Sequence, residues 1–305
     1  MGEKVFRDTR TQMGIIRNRG VIIKNKKLAK RLIREINYYN LINGYKTPFI
    51  QTATPFEKYL PGTTFEEIYA LYEFDRKLRL ITLNQLLMIE KKIKTLIAYS
   101  FSKSYGHKDY LKIENFDKVG TKKYTQVCDL LAALFKKISQ NIEKDLSVAH
   151  YVNGKNYVPL WVLTNTMSFA DTSKFYSCMI QKDRDDVAKR FKWGLRENQL
   201  ASALHLLSSI RNRCAHDERL YSYSSYANLR MNKYFKYFKI KKETNNYFAV
   251  LVALKLILPD RDYCDFHKQI EDLFAELGKK LKVIPAAKIR KEMGFPKNWT
   301  KLREL

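Results

Sequence analysis

Residues 63–101 read TTFEEIYALYEFDRKLRLITLNQLLMIEKKIKTLIAYSF. Phe65, Ile68, Leu71, Tyr72, Leu78, Leu86, Ile89, Ile93, Leu96 and Ile97 recur at steps of three and four, the period of one helix face. Thr63 and Thr64 stand three residues ahead of Glu66 and Glu67, which gives two overlapping capping boxes at the start. The spacing predicts a long amphipathic helix through to about Phe101, with Gly106 ending the region. It is longer than most globular helices and reads as the central core helix.

Upstream, residues 26–40 carry Leu28, Leu32, Ile33 and Ile36 at helical spacing, with Lys and Arg on the other face. They lead into the aromatic turn Tyr38-Tyr39-Asn40-Leu41-Ile42-Asn43-Gly44-Tyr45, where Gly44 is placed to stop the helix. A loop around Pro55 and Pro61 follows. Downstream, residues 124–141 bury Val127, Leu130, Leu131, Leu134, Phe135 and Ile138, and Pro159 opens an apolar helix that continues to Met179. Further helices are expected at 183–191, 195–210, 246–258 and 266–283.

Gly (11) and Pro (7) are scarce and strand-like alternation is rare, so the fold class is all-α. No composition shift marks a linker, and no internal repeat occurs. The expected organisation is one continuous helical body over 1–305. Within it, 1–60 hold the N-terminal helix and aromatic turn, 61–225 the core with the motif helix, and 226–305 a basic and aromatic C-terminal part.

A chain of 305 residues buries a substantial core whether it forms one domain or two. Its 57 Lys+Arg against 31 Asp+Glu leave a formal charge of +26, which calls for a polyanionic partner, nucleic acid ahead of a membrane surface. Cys128, Cys178, Cys214 and Cys264 form no zinc-ligand spacing and read as reduced thiols. Residues 1–10 lack an apolar signal region, and no apolar run approaches the ~20 residues of a membrane span. A cytoplasmic protein without a membrane partner is expected.

The most chemically loaded run is Arg211-Asn212-Arg213-Cys214-Ala215-His216-Asp217-Glu218-Arg219-Leu220-Tyr221, at the end of the apolar stretch 195–210. A permanent cation near an imidazole, a group that titrates near neutrality, suits chemistry on a phosphodiester. On an ideal helix five steps separate Arg211 and His216 by about 140°, so they do not share a face. Either the helix ends within the motif or the two side chains meet across a dimer axis. Asn212 and His216, four apart, would stack on one face, and Arg213 with Asp217 would form an ordinary surface ion pair. With RNA the 2′-hydroxyl is an internal nucleophile: His216 would act as base or acid and Arg211 would hold the non-bridging oxygens. The products would be a 2′,3′-cyclic phosphate or 3′-phosphate and a 5′-hydroxyl, with no metal or cofactor required.

Residues 230–242 interleave cations with aromatics. Arg230, Lys233, Tyr234, Lys236, Tyr237, Lys239, Lys241 and Lys242, together with Arg213, are candidate RNA contacts, the lysines on phosphates and the rings on bases. An element with core aromatics and surface lysines explains the same pattern equally well. His205, inside the apolar helix, reads as a packed core residue, and His107, His150 and His267 as exposed. Asp183, Asp185 and Asp186 read as a helix start rather than a cation site. No glycine-rich phosphate loop, G-x-S-x-G or H-E-x-x-H occurs.

From about residue 20 to 299 the chain resembles the bacterial abortive-infection (Abi) family of the D/F type, whose members are similar to HEPN-domain ribonucleases. The likeness rests on Ile36-Asn37-Tyr38-Tyr39-Asn40-Leu41-Ile42-Asn43-Gly44-Tyr45, Gly62-Thr63-Thr64-Phe65, and Leu71-Tyr72-Glu73-Phe74-Asp75-Arg76-Lys77-Leu78-Arg79. It continues in Pro159-Leu160-Trp161, Met167-Ser168-Phe169, the R-N-x3-H run from Arg211 to His216, and Gly294-Phe295-Pro296 with Trp299. The resemblance implies a HEPN-like helical bundle with added terminal helices and a homodimer whose two R-x4-H motifs form one RNase cleft. It also implies a toxic antiphage role restrained by a bound regulator, and it gives the catalytic roles to Arg211, Asn212 and His216. Two other readings stand beside it: a module that binds a small non-coding RNA without cutting, and an antitoxin-like partner of a nucleotidyltransferase.

Overall fold

The computed structural model describes residues 5–54, 56–192 and 194–305. Met1, Gly2, Glu3 and Lys4 of the expected leaderless N-terminus and Pro55 of the expected loop lie outside the described residues. In chain order the elements are α1 (Thr9–Asn18), α2 (Lys26–Ile36), the short antiparallel pair β1 (Ile50–Thr52) and β2 (Lys58–Tyr59), and α3 (Phe65–Tyr105). Next come α4 (Thr121–Asn141), α5 (Leu146–Lys155), α6 (Leu160–Thr166), α7 (Phe169–Cys178), α8 (Gln181–Phe191) and α9 (Glu197–Ala215). The chain closes with α10 (Lys233–Tyr237), α11 (Tyr247–Ile257), α12 (Asp260–Lys280) and α13 (Ala286–Glu292). The fold is all-α, as the periodicity predicts.

The 41 residues of α3 form one uninterrupted helix, about 60 Å long at 1.5 Å per residue. At its start the Thr64 hydroxyl accepts the Glu67 N–H at 3.2 Å, and Glu67 Oε2 accepts the Thr64 N–H at 3.2 Å. Only this one of the two possible capping boxes forms, because Glu66 accepts the Asn25 N–H instead. The second Glu67 oxygen takes the N–H groups of Lys282 (2.6 Å) and Val283 (2.8 Å), which ties the stretch after α12 to the head of α3. Burial alone would raise the Glu67 carboxyl; the amides of Val283 and Lys282 with Thr64 overcome it and hold the group below the usual carboxylate range.

Helices α6, α7, α8, α9 and α12 pack along α3. Every residue of α11 is buried, as a helix apolar on all sides requires, and it lies against α9 and α12. The Phe295 and Trp299 rings pack with Phe274 of α12. Gly294 has φ +84°, and a Cβ there would fall 1.9 Å from the Asn246 side chain that caps α11, so only glycine fits.

Several sequence expectations need correction. Helix α2 stops at Ile36, not near Gly44: Asn37 takes φ 76°, its side chain accepts the Tyr39 N–H, and residues Tyr39–Asn43 wind as a π-helix. Gly44 itself has an ordinary φ of −68°. The helix expected from 160 to 179 is broken at Met167-Ser168, where Ser168 caps α7 through a box with Asp171. On α4 Val127, Leu130 and Leu134 face inward, while Phe135 is exposed at the edge of the stripe.

His205 and His267 exchange the environments expected of them. His205 lies on the outer side of α9 with its ring edge against Tyr226. His267 is fully buried on α12 beside Trp299, with Nδ1 3.1 Å from Glu271, whose carboxylate also pairs with Arg303. Burial, with Arg303 and Lys255 adding to it, pushes its imidazole down to about 4. An unfolded imidazole near 6.5 binds its proton first. Stability is therefore complete above about pH 6.5 and falls by up to about 3 kcal/mol as the pH drops toward 4. Urea midpoints measured across that range should show this slope in wild type and a flatter one in His267→Phe; parallel curves would contradict it.

Candidate active site

The last turn of α9 carries Arg211, Asn212, Arg213 and Cys214, and the helix ends at Ala215. His216 is its C-cap, with its N–H donating to the Asn212 carbonyl at 3.0 Å. Asp217 then turns the chain in the left-handed conformation (φ 54°), and the Glu218 N–H reaches back to the Arg213 carbonyl at 3.0 Å, completing a Schellman stop. Glycine usually fills that position. Here Asp217 is held by its carboxylate, which accepts from the Arg79 guanidinium of α3.

Arg79 belongs to a buried cluster that fixes the whole turn. Its Nη1 donates to Asp75 Oδ2 at 2.7 Å, one turn back on α3, and both side chains are buried. Asp75 also accepts the N–H groups of Leu220 (3.0 Å) and Tyr221 (2.7 Å) and the Tyr45 hydroxyl (2.8 Å). Tyr45 stacks on Tyr221, and the Arg219 guanidinium donates to the Gly44 carbonyl at 2.6 Å. Burial pushes the Asp75 carboxyl up, while Arg79 and the Leu220 amide pull it down. The pair thus clamps residues 217–221 to the long helix and to the aromatic turn, and with them the backbone next to His216.

His216 is exposed and lines a cleft of about 650 Å³. Tyr39, Asn40 and Asn43 of the π-turn, Tyr72 of α3, and Arg213 and Arg219 share that cleft. Asn212, four residues before His216, is exposed as well, but it does not line the cleft, and no hydrogen bond joins the two side chains among the described residues. Arg211 faces elsewhere: it is half-buried, and its Nε donates to Glu90 of α3 at 3.1 Å, with Lys94 on the other Glu90 oxygen at 2.9 Å. Among the described residues no hydrogen bond joins Arg211 to His216, as the about 140° separation implies.

Other expected site residues divide. Arg213 does not pair with Asp217, because the left-handed turn takes that carboxylate to Arg79; it pairs with Glu218 at 2.9 Å and lies 3.7 Å over the Tyr223 ring. In the strip, Tyr234, Phe235 and Phe238 are buried, so Tyr234 is a core ring and is not available for stacking on a base. Their i, i+1, i+4 spacing places them on the inner face of α10. Arg230, Lys233, Lys236, Lys239, Lys241 and Lys242 remain on the surface, and Tyr237 is 49% exposed. Lys233 and Lys236 join Lys192 and Arg196 around a cleft of about 360 Å³. Cys214, inside the motif, is buried, which pushes its thiol up to about 12 and makes it an inert packing residue.

The sequence names Tyr45, Asp75, Arg79 and Arg219 within its motif stretches but not their role in holding the site, and Glu90 not at all. For Asp75 the signal was present: it falls in phase with Leu71, Leu78 and Leu86 on the apolar face, with Arg79 four residues on. A charged pair on the buried face of a helix marks a built contact.

The family model described as Abi-like protein matches residues 31–222. The chain belongs to the Abi-like protein family. The matched segment starts in α2 and ends one residue past Tyr221, so the Abi-like region holds the π-turn, α3, the Asp75–Arg79 clamp and the whole R-N-x3-H run. Residues 223–305, including the basic strip and the Gly294-Phe295-Pro296 ending, lie beyond it, a shorter span than the resemblance suggested. No curated protein and no solved structure matches the chain. No helix is long and apolar enough to cross a membrane, among the described residues.

Proposed function

We propose that this Abi-like protein is an endoribonuclease of an abortive-infection system, cutting RNA by attack of its own 2′-hydroxyl. The observation that carries the reading is the placement of His216. It is an exposed imidazole, without a side-chain partner among the described residues, carried by a turn that a buried ion pair anchors, at the rim of a cleft lined by Arg213, Arg219 and Tyr39 and by the carboxylates of Glu35, Asp217 and Glu218. Substrate pressed into that cleft meets a proton-transfer group and the Arg219 guanidinium, while Arg213 is held by Glu218 and would have to exchange that carboxylate for a phosphate. Asn212, exposed one turn before His216, would position the scissile nucleotide.

Arg211 sits on the other side of the helix end, neutralised by Glu90. The arrangement therefore favours a homodimeric site in which the Arg211 of a second copy, exchanged from its Glu90 for a phosphate, faces His216. Cleavage of single-stranded RNA by the purified protein in EDTA, with loss of cleavage in His216→Ala, is the expected result; uncut RNA at every pH between about 6 and 8 contradicts it.

A second reading, RNA binding without cleavage, is favoured by the cleft where Lys192, Arg196, Lys233 and Lys236 converge. Under it, Lys233→Ala with Lys236→Ala weakens RNA binding uniformly across sequences and lowers the slope of log affinity against log salt by about 0.7 per lost phosphate contact. An unchanged slope excludes that cleft. A regulatory RNA held there is compatible with a nuclease at His216.

A further inference from the structure

Two large aromatic side chains are half exposed away from the His216 cleft: Trp161 at the start of α6 is 48% exposed, and Tyr99 of α3 is 55% exposed with the Arg190 guanidinium 4.8 Å over its ring. Both line one groove of about 630 Å³ between these helices. Lys91, Lys94 and Lys103 of α3 rim it, Asn165 of α6 supplies an amide, and no acidic side chain lines it. Trp161 is braced from behind: its ring lies 5.8 Å from that of His107, which lies 5.1 Å from Tyr157. Pro159 and the fully buried Leu160 fix the first turn of α6 and with it the direction of the indole.

An exposed, braced indole beside lysines of one sign suits a ligand that presents flat π-faces and negative charge together. An apolar partner helix would leave the Lys91 and Lys103 ammonium groups without counter-charge. Duplex RNA would keep its base faces stacked out of reach. We propose that this groove binds single-stranded RNA, with Trp161 and Tyr99 stacked on bases and Lys91 and Lys103 on phosphates. The proposal rests on RNA being the ligand of this protein and adds where the strand is held. The groove is joined to the motif: Lys94, which lines it, pairs with Glu90, and Glu90 pairs with Arg211. A strand lying in it is thus linked to the motif arginine through the two ion pairs that share Glu90.

The test measures fluorescence anisotropy of a short fluorescein-labelled single-stranded RNA, and of its blunt duplex, on His216→Ala protein so that the probe survives. Adding Trp161→Ala should weaken single-strand binding about 5- to 150-fold, the equivalent of one stacked base, with duplex binding unchanged. Trp161→Phe should restore most of the loss. Lys91→Ala should lower the salt slope by about 0.7. Melting temperatures within a degree or two of the parent show that the fold is intact. Equal single-strand affinity with and without Trp161, or an equal loss for the duplex, overturns the groove and leaves the cleavage reading standing. Cleavage by wild type that persists in His216→Ala overturns the catalytic reading while a Trp161-dependent affinity still upholds the groove.

Discussion

Replacing Asp75 by Ala is expected to destabilise the protein by about 3–5 kcal/mol, the range for removing one partner of a buried ion pair. The change leaves the Arg79 charge buried and strips the Leu220 and Tyr221 amides and the Tyr45 hydroxyl of their acceptor. Arg79 would keep Asp217, a carboxylate open to water, and the Tyr45 hydroxyl at 3.3 Å. Urea or thermal unfolding gives the loss directly. The same variant should loosen the turn that carries His216 even where it remains folded, because residues 220 and 221 lose their Asp75 acceptor and Arg79–Asp217 remains as the other polar tie of the turn to α3 among the described residues. Asp75→Asn, which retains an acceptor for the amides but not the charge, should fall between. A loss below about 1 kcal/mol for Asp75→Ala would mean that the clamp does not hold the turn.

Replacing His216 by Ala should have the opposite profile. Removing a general acid or base lowers the rate of such a step by about 10²–10⁴-fold. Stability should hardly change, since the side chain is exposed and surface substitutions away from special features stay within about 0.5 kcal/mol. Arg211→Ala should also remove cleavage, and it leaves Glu90 with Lys94 as its remaining cation, so a modest stability loss accompanies it. The informative contrast is between Asp75→Ala, damaged in both properties, and His216→Ala, damaged in one. A His216→Ala protein that is both inactive and strongly destabilised would place that residue in the packing rather than in the chemistry.

The helical fold was legible because its signal is local: the apolar period of 63–101 continues for many turns and the Thr64 cap opens it. The end of α2 was not legible, because Asn37 in a left-handed conformation does a stop usually done by glycine, and Gly44 was the obvious candidate. The motif was legible as a run of residue types, and helix geometry alone showed that Arg211 and His216 diverge. What each faces was not legible: Glu90 lies 121 residues from Arg211 and Asp217 lies 138 from Arg79. Such pairings follow from how α9 crosses α3, which no local pattern records. The basic strip was open in the sequence between base-stacking rings and core rings with surface lysines; burial of Tyr234, Phe235 and Phe238 on one short helix face decides for core rings at these positions.

The most direct test of the account is the chemistry of the RNA ends left by the purified protein in EDTA, set beside His216→Ala prepared identically. The account predicts 2′,3′-cyclic phosphate or 3′-phosphate ends with 5′-hydroxyls from wild type, and intact RNA from the variant. Products bearing 5′-phosphates, or equal cleavage by the two proteins, would contradict it.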